Sequence, residues 1–314
     1  MTPRPRIAAI VGPTASGKTS LAVALRAAGL PIEAVGCDAS QLYRGLDAAT
    51  AKPSAEERAA VVHHLVDVVA PTEIVDAARF ARLADAAIVD IARRGAWPVL
   101  VGGTGLYYRA VVRGLADIPP VPTAVRDDLA HQWREHGPAA MHEQLTAVDP
   151  DYAAITPAAN RQRVLRALEV HAATGTAFSA FHDAHRAAPP RYDAFTVVLD
   201  PPRDTYRKRL ERRAAAMIPA LIDEARQLAA AGIGPDHHAT QALGYREALA
   251  MIASDSVDRE TLTTSLIRGH KKYAKRQRTW FRKIANAHVV DAADPTEPGS
   301  LESVAAALSA FFNG

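Results

Sequence analysis

One cysteine, Cys37, stands among 314 residues. That excludes a disulfide framework and a multi-cysteine zinc centre, and it points to a reducing compartment, the cytoplasm. No run of 18 apolar residues occurs, and no charged, apolar and small-residue leader follows Met1, so neither a membrane span nor an export signal is expected. Internal repeats and low-complexity tracts are missing too. Aromatic residues are scarce at 6%, which in so alanine-rich a chain reflects composition more than function. Acids are missing locally: from Thr261 to Val290 there are eight Lys/Arg and no Asp or Glu, although the formal net charge of the whole is only +3. With 48% apolar residues the chain can bury a full core, as one large domain or two modest ones.

What is present begins with Gly12-Pro13-Thr14-Ala15-Ser16-Gly17-Lys18-Thr19, directly after the apolar run Ile7–Val11. Glycines at 12 and 17 with Lys18 and Thr19 satisfy the phosphate-loop pattern, and a buried strand before the loop is the context that pattern requires. The expected geometry is a strand that stops, backbone N–H groups curling around an anion, and a helix opening at Gly17. Lys18 adds a point charge, and the Thr19 hydroxyl is offered to Mg²⁺. The site therefore holds a di- or triphosphate, without saying whose.

Short apolar runs at Glu33–Cys37 and Pro98–Val101 alternate with helical patterns at Thr19–Ala28 and Arg79–Arg94. This alternation predicts an α/β fold, a parallel sheet flanked by helices of the P-loop NTPase-like kind. Ligands in such sheets sit beyond the carboxyl ends of the strands, here at Gly12–Thr14, Cys37-Asp38 and Gly102–Gly105. Proline-rich breaks at Ile118–Pro122 and Ala188–Pro190 bracket helical patterns at Val125–His136, Ala139–Val148 and Asn160–Thr174 with no clear strand. The expected organisation is a catalytic core of residues 1–117 and 192–314, with an all-helical domain of residues 118–191 inserted. Phe195–Asp200 reads again as a strand, and the chain beyond it as helical nearly to its end.

Three observations bear on the chemistry. NTPases usually hold Mg²⁺ with a carboxylate at the end of a second apolar strand, but Pro98–Val101 ends in Gly102-Gly103-Thr104, leaving Asp38 and Asp200 as substitutes. Asp38, at the mouth of the crevice that holds Lys18, suits either a proton acceptor or a loop-capping carboxylate. In the acid-free stretch, Arg268, Lys272, Lys275, Arg276 and Thr279 fall on one side of a helix. Tyr273, Trp280 and Phe281 lie between the cations, a pattern that fits a nucleic-acid backbone with unstacked bases.

With these residues in place the chain resembles the bacterial tRNA dimethylallyltransferases, almost end to end. The likeness rests on the phosphate loop, Asp38 with Gln41–Gly45, Thr50–Pro53, His63–Asp67, Gly102–Tyr107, Gln162-Arg163 with Arg166–Val170, Gly244–Glu247, and Ala274–Gln277 with Thr279-Trp280. Two departures are mild. Asp38-Ala39 stands where many members have Asp-Ser, and Asp47-Ala48-Ala49-Thr50 where they have Asp-Ile-Gly-Thr.

The resemblance implies transfer of a dimethylallyl group from its diphosphate to N6 of the adenine 3′ of the anticodon, in a monomeric cytoplasmic enzyme using Mg²⁺ on Thr19. It implies Asp38 as general base and residues 12–19 as the diphosphate cradle. Thr104 and Arg213 are further candidates at the diphosphate, Arg209 being the substitute for Arg213. The tRNA is expected on Asp38, Ala39, Ser40, Gln41, Thr104, Arg126, Gln162, Arg163, Lys272, Lys275 and Arg276. His63 and His64 lack a third ligand at metal-site spacing and read as structural. A P-loop kinase of small molecules, an RNA-binding protein without catalysis and an isopentenyltransferase acting on free AMP are the competing functions.

Overall fold

A computed structural model describes residues 4–314. Strand β1 (Arg6–Val11) runs into the phosphate loop and α1 (Lys18–Ala27), followed by β2 (Ile32–Gly36), α2 (Ala55–Ala60), β3 (His63–His64), α3 (Ala77–Arg93), β4 (Trp97–Gly102) and α4 (Gly105–Val112). Four helices follow: α5 (Thr123–Val148), α6 (Pro150–Ala154), α7 (Arg161–Thr174) and α8 (Phe178–Ala187). The chain then adds β5 (Asp193–Leu199), α9 (Arg203–Ala230), α10 (Tyr245–Ala253), α11 (Arg259–Phe281), β6 (His288–Val290) and α12 (Pro298–Asn313).

The six strands form one parallel sheet in the order β3-β2-β4-β1-β5-β6. Alternation along β1 explains its two covers, since successive side chains point to opposite faces. Ile7, Ala9 and Val11 join Phe80, Ile88 and Ile91 of α3 and Leu221 of α9 on one face. Ala8 and Ile10 join Leu21 and Leu25 of α1 and Val304 and Leu308 of α12 on the other. Helices on both faces of a parallel sheet make this a P-loop NTPase-like α/β fold. Two short edge strands, β3 and β6, were not legible as strands, because two or three residues carry no readable alternation.

Contacts divide the chain into two compact units: residues up to Arg113 together with Arg191–Gly314, and Gly114–Pro190. Among its described residues the second unit is helical, with a core of its own including Leu129, Met141, Leu145, Val164, Leu168 and Phe178. Its start differs from the expected residue 118. Ile118 and Val121 of the proline-rich break pack into this helical core, and the unit extends ahead of the break to Gly114. The chain re-enters the first unit where the Arg191 N–H donates to the Val112 carbonyl at 2.9 Å. Helix α5 is interrupted at Gly137 (φ 76°), followed by Pro138, where the sequence pattern also divides.

Candidate active site

The carboxyl ends of β1, β2 and β4 open on one cavity of about 590 Å³. Residues Thr14–Ser20 form one wall and Asp38 and Gln41 another. Arg209 and Arg213 of α9 reach in from a third side, and Asp294–Thr296 from a fourth.

The phosphate loop has the expected shape. Ala15 at φ 61° and Gly17 at φ 91° are left-handed, and left-handed residues set among right-handed ones turn backbone N–H groups into an anion-binding concavity. At Gly12 (φ 154°) a side chain is excluded because a Cβ would stand 2.5 Å from the Leu199 carbonyl oxygen of β5. Helix α1 opens at Gly17 with no acid in its first turn, so the positive end of its dipole faces the cavity without internal compensation. Ser16 Oγ is buried with no hydrogen-bond partner, a donor left over for a ligand. The Lys18 ammonium folds back onto the loop, donating to the Gly12 and Pro13 carbonyls at 3.2 and 2.8 Å.

Not every amide of the loop is available. The Thr14 N–H donates to Gln277 Oε1 at 2.9 Å, and the Ser16 N–H turns to the Pro13 carbonyl at 3.3 Å. The cradle is therefore narrower than the whole run from 12 to 19.

Asp38 caps its turn and still lines the cavity. Its Oδ1 accepts the Ser40 N–H at 3.0 Å. Burial pushes its pKa up; the Ser40 and Gln41 amides, Lys18 and Arg213 oppose that shift. Lys18 moves the other way. Burial lowers it to about 8, partly offset by Asp38 and reinforced by Arg213. Arg213 is itself pushed down by burial, with Glu57 and Asp38 holding it charged.

The two arginines separate by what they touch. Arg209 donates to the Ala293 carbonyl at 2.6 Å and the Ala15 carbonyl at 3.4 Å, tying α9 to the loop over Gly17. Arg213 has a 3.5 Å contact to the Ala51 carbonyl and lies within the field of both Lys18 and Asp38, which leaves its guanidinium less committed to backbone carbonyls than that of Arg209.

Thr104 stands behind the loop that carries Asp38. It is not among the residues lining the cavity. Its hydroxyl accepts the Ala39 N–H at 3.0 Å and is in hydrogen-bonding contact with Tyr273 of α11, so it holds the loop that carries Asp38. The glycines around it serve close packing. A Cβ would meet the Cys37 carbonyl at 2.1 Å from Gly102 and the Trp280 ring at 2.7 Å from Gly105. The Gln41 Nε2 donates to the Thr50 and Ala51 carbonyls at 3.1 and 3.0 Å, while the residue lines the cavity. Lys52, in the Thr50–Pro53 run, is buried between Asp47 and Asp67 and donates to the Tyr43 carbonyl at 2.6 Å, bracing the same loop.

The acid-free stripe is not acid-free in three dimensions. Lys271 pairs with Glu211 at 2.7 Å. Arg278 pairs with Asp200 at 2.9 Å, donates to the Pro201 carbonyl and stacks on Tyr206; Arg282 also reaches Asp200. Asp200 is thereby removed as a substitute metal carboxylate. Exposed Arg268, Lys272, Lys275, Arg276 and Lys283 remain, Arg276 with its guanidinium 5.7 Å from the Tyr273 ring centre. Arg126, Gln162 and Arg163 are exposed in the inserted unit, the latter two in the first turn of α7. Of the histidines, His64 bonds Glu33 at 2.7 Å, as a structural residue would. His63 instead lines the cavity, its Nδ1 on the Val61 carbonyl at 2.8 Å. No group of three potential metal-binding side chains occurs among the described residues, and no helix there is long and apolar enough to cross a membrane.

Comparison with known proteins agrees with this geometry. The family described as IPP transferase matches residues 41–284. A tRNA dimethylallyltransferase of Anaeromyxobacter dehalogenans is 46% identical over 297 residues, covering 94% of this chain and 97% of that protein. Among solved structures, the full-length tRNA isopentenylpyrophosphate transferase of Bacillus halodurans aligns at 36% identity and a TM-score of 0.71 over 98% of this chain and 97% of that one. A eukaryotic dimethylallyltransferase acting on tRNA shares 24% identity with a TM-score of 0.83, covering 98% of this chain and 80% of its own, a likeness that speaks for the fold alone. Site and comparisons converge: the chain belongs to the IPP transferase family.

Proposed function

We propose that this protein transfers a dimethylallyl group from dimethylallyl diphosphate to N6 of the adenine 3′-adjacent to the anticodon of tRNA. The observation that carries it is a carboxylate, Asp38, lining the same cavity as a phosphate loop and Arg213. The exocyclic amine is a poor nucleophile, its lone pair being delocalised into the ring. Asp38 takes the N6 proton as the N–C bond forms and the allylic C–O bond breaks, the electron pair leaving with the diphosphate. An allylic carbon tolerates positive charge, so stabilising the leaving group is the main task. Lys18, Arg213, the free loop amides and the α1 dipole do that.

The residues present fit a magnesium ion. Mg²⁺ takes few protein ligands and completes its shell with substrate phosphates and water; the Thr19 hydroxyl lines the cavity beside Lys18, and Asp38 lies across it. When bound, the ion would add charge neutralisation at the diphosphate.

An anticodon loop is already single-stranded, which lowers the cost of extracting its target base. Lys272, Lys275 and Arg276 on α11, with Arg126, Gln162 and Arg163 in the inserted unit, supply contacts for the RNA. Incubation with labelled dimethylallyl diphosphate and tRNA, AMP or ATP tests the assignment. Label is expected in tRNA alone; label in AMP would favour an adenylate isopentenyltransferase, and consumption of ATP a kinase.

Two further results are expected. In the free enzyme Lys18 loses its proton above about pH 8, so kcat/KM for the donor falls on the alkaline side of that value. Lys18→Arg keeps the charge at all accessible pH and removes this limb, whatever its effect on the absolute rate. Second, Lys272→Ala with Lys275→Ala flattens the slope of log K for tRNA against log salt by roughly one to two units. It weakens all tRNAs alike, since phosphate contacts position the RNA and do not read it. Binding measured across a salt series checks this, and parallel lines would mean the RNA lies elsewhere.

A further inference from the structure

Among the cations of α11 stands a neutral amide, Gln277, only 3% exposed. Burying a primary amide is unfavourable unless both ends are bonded, and both are. Oε1 accepts the Thr14 N–H at 2.9 Å, and Nε2 donates to the Gly103 carbonyl at 2.9 Å. The partners lie beyond the carboxyl ends of two adjacent strands, β1 and β4. There is no slack in the fit, because a Cβ on Gly103 would stand 2.0 Å from Nε2. This bridge decides which amides remain for an anion: Pro13 has no N–H, the Thr14 N–H is engaged, and the available donors begin at Ala15. The bridge also starts from a helix with exposed cations close by, Arg276 next in the chain and Lys272 and Lys275 within two turns.

We propose that Gln277 is a positioning residue that sets the mouth of the phosphate loop and ties it to the face of α11 that meets RNA. It rests on the proposed tRNA reaction for its second half only; the bridge to the donor loop holds whatever the acceptor. A polyanion seated on Lys272, Lys275 and Arg276 presses on the same helix that holds Thr14. Donor affinity then depends on whether RNA is bound, and RNA affinity depends equally on donor.

The test uses the full chain and two variants. Gln277→Met keeps length and apolar shape and removes both bonds. Gln277→Glu keeps an acceptor toward Thr14 and loses the donor to Gly103; it carries the test if the methionine variant melts below the assay temperature. Binding of dimethylallyl thiolodiphosphate, an unreactive donor analogue, is measured with and without a saturating anticodon stem-loop. In the wild type the two dissociation constants should differ about fivefold or more. In the variants donor Kd and donor KM rise about tenfold, the ratio falls toward one, and RNA affinity without donor stays within about twofold.

Variants with wild-type donor affinity overturn the positioning role. Equal loss of donor and RNA affinity means that Gln277 only holds the fold, and a wild-type ratio of one overturns the link to RNA. Failure of the function itself looks different, since wild-type protein would then put no label into tRNA while the donor affinities could still separate.

Discussion

Replacing Asp38 by asparagine lowers single-turnover transfer by about 10²–10⁴-fold, the usual contribution of a positioned general base, with tRNA affinity nearly unchanged. The amide is isosteric and can still accept the Ser40 N–H that Asp38 Oδ1 accepts at 3.0 Å, so the turn survives while the proton acceptor is lost. Burial raises the Asp38 pKa, which makes the carboxylate a better base than an exposed one. The same burial disfavours the charged form in the folded state. Asp38→Asn therefore raises Tm at neutral pH, a gain that shrinks as the pH falls through the carboxylate range and the wild-type group is protonated. A large loss of rate beside an undiminished melting temperature marks a functional carboxylate, because a residue serving only as the cap is replaced by asparagine without loss of rate. A near wild-type rate under saturating tRNA would remove Asp38 from the chemistry.

Lys18→Ala is expected to cost about 10²–10³-fold in transfer, the scale seen when one preorganised donor to a developing negative charge is removed. Donor binding weakens as well, and tRNA binding changes little, because Lys18 lies inside the loop and the exposed cations lie on α11. Resting on the Gly12 and Pro13 carbonyls at 3.2 and 2.8 Å, the ammonium is held within its own loop and has only to swing to an arriving diphosphate. Single-turnover rates with filter binding of tRNA decide the point: an RNA affinity falling as steeply as transfer would place Lys18 on the acceptor side.

The sheet strands with long apolar runs, the phosphate loop and Asp38 were legible because each is local. A loop pattern, a buried run and a turn residue are all written in consecutive letters. What escaped reading depends on partners far along the chain. Arg278 looks like a free cation in sequence, and only folding brings Asp200 to 2.9 Å from it; Lys271 and Glu211 are the same case. Thr104 sits in a glycine-rich motif, and its bond to the Ala39 N–H joins segments 65 residues apart that no local pattern connects. Gln277 was visible only as one letter in a family motif, and the glycine it meets, Gly103, was visible only as part of another. The presence of glycines with no positive φ, at 102, 103 and 105, is the signal that could have found the contact, since such glycines mark close approach and not a turn.

The strand order has a consequence for how the chain is made. β1 lies between β4 and β5, and its partner on one side, Asp193–Leu199, is translated nearly two hundred residues after it. At ribosomal speeds of roughly 5–20 residues per second, the amide row of Arg6–Val11 waits on the order of ten seconds or more for that neighbour. During this interval a strand buried from Ile7 to Val11 in the finished protein is an open edge able to accept any extended segment nearby. The helical insertion is completed within the same interval, with a core of its own. A nascent chain with a self-contained domain emerging and an unprotected strand behind it is open to mispairing, and slowing translation ahead of Asp193 should lower its soluble yield.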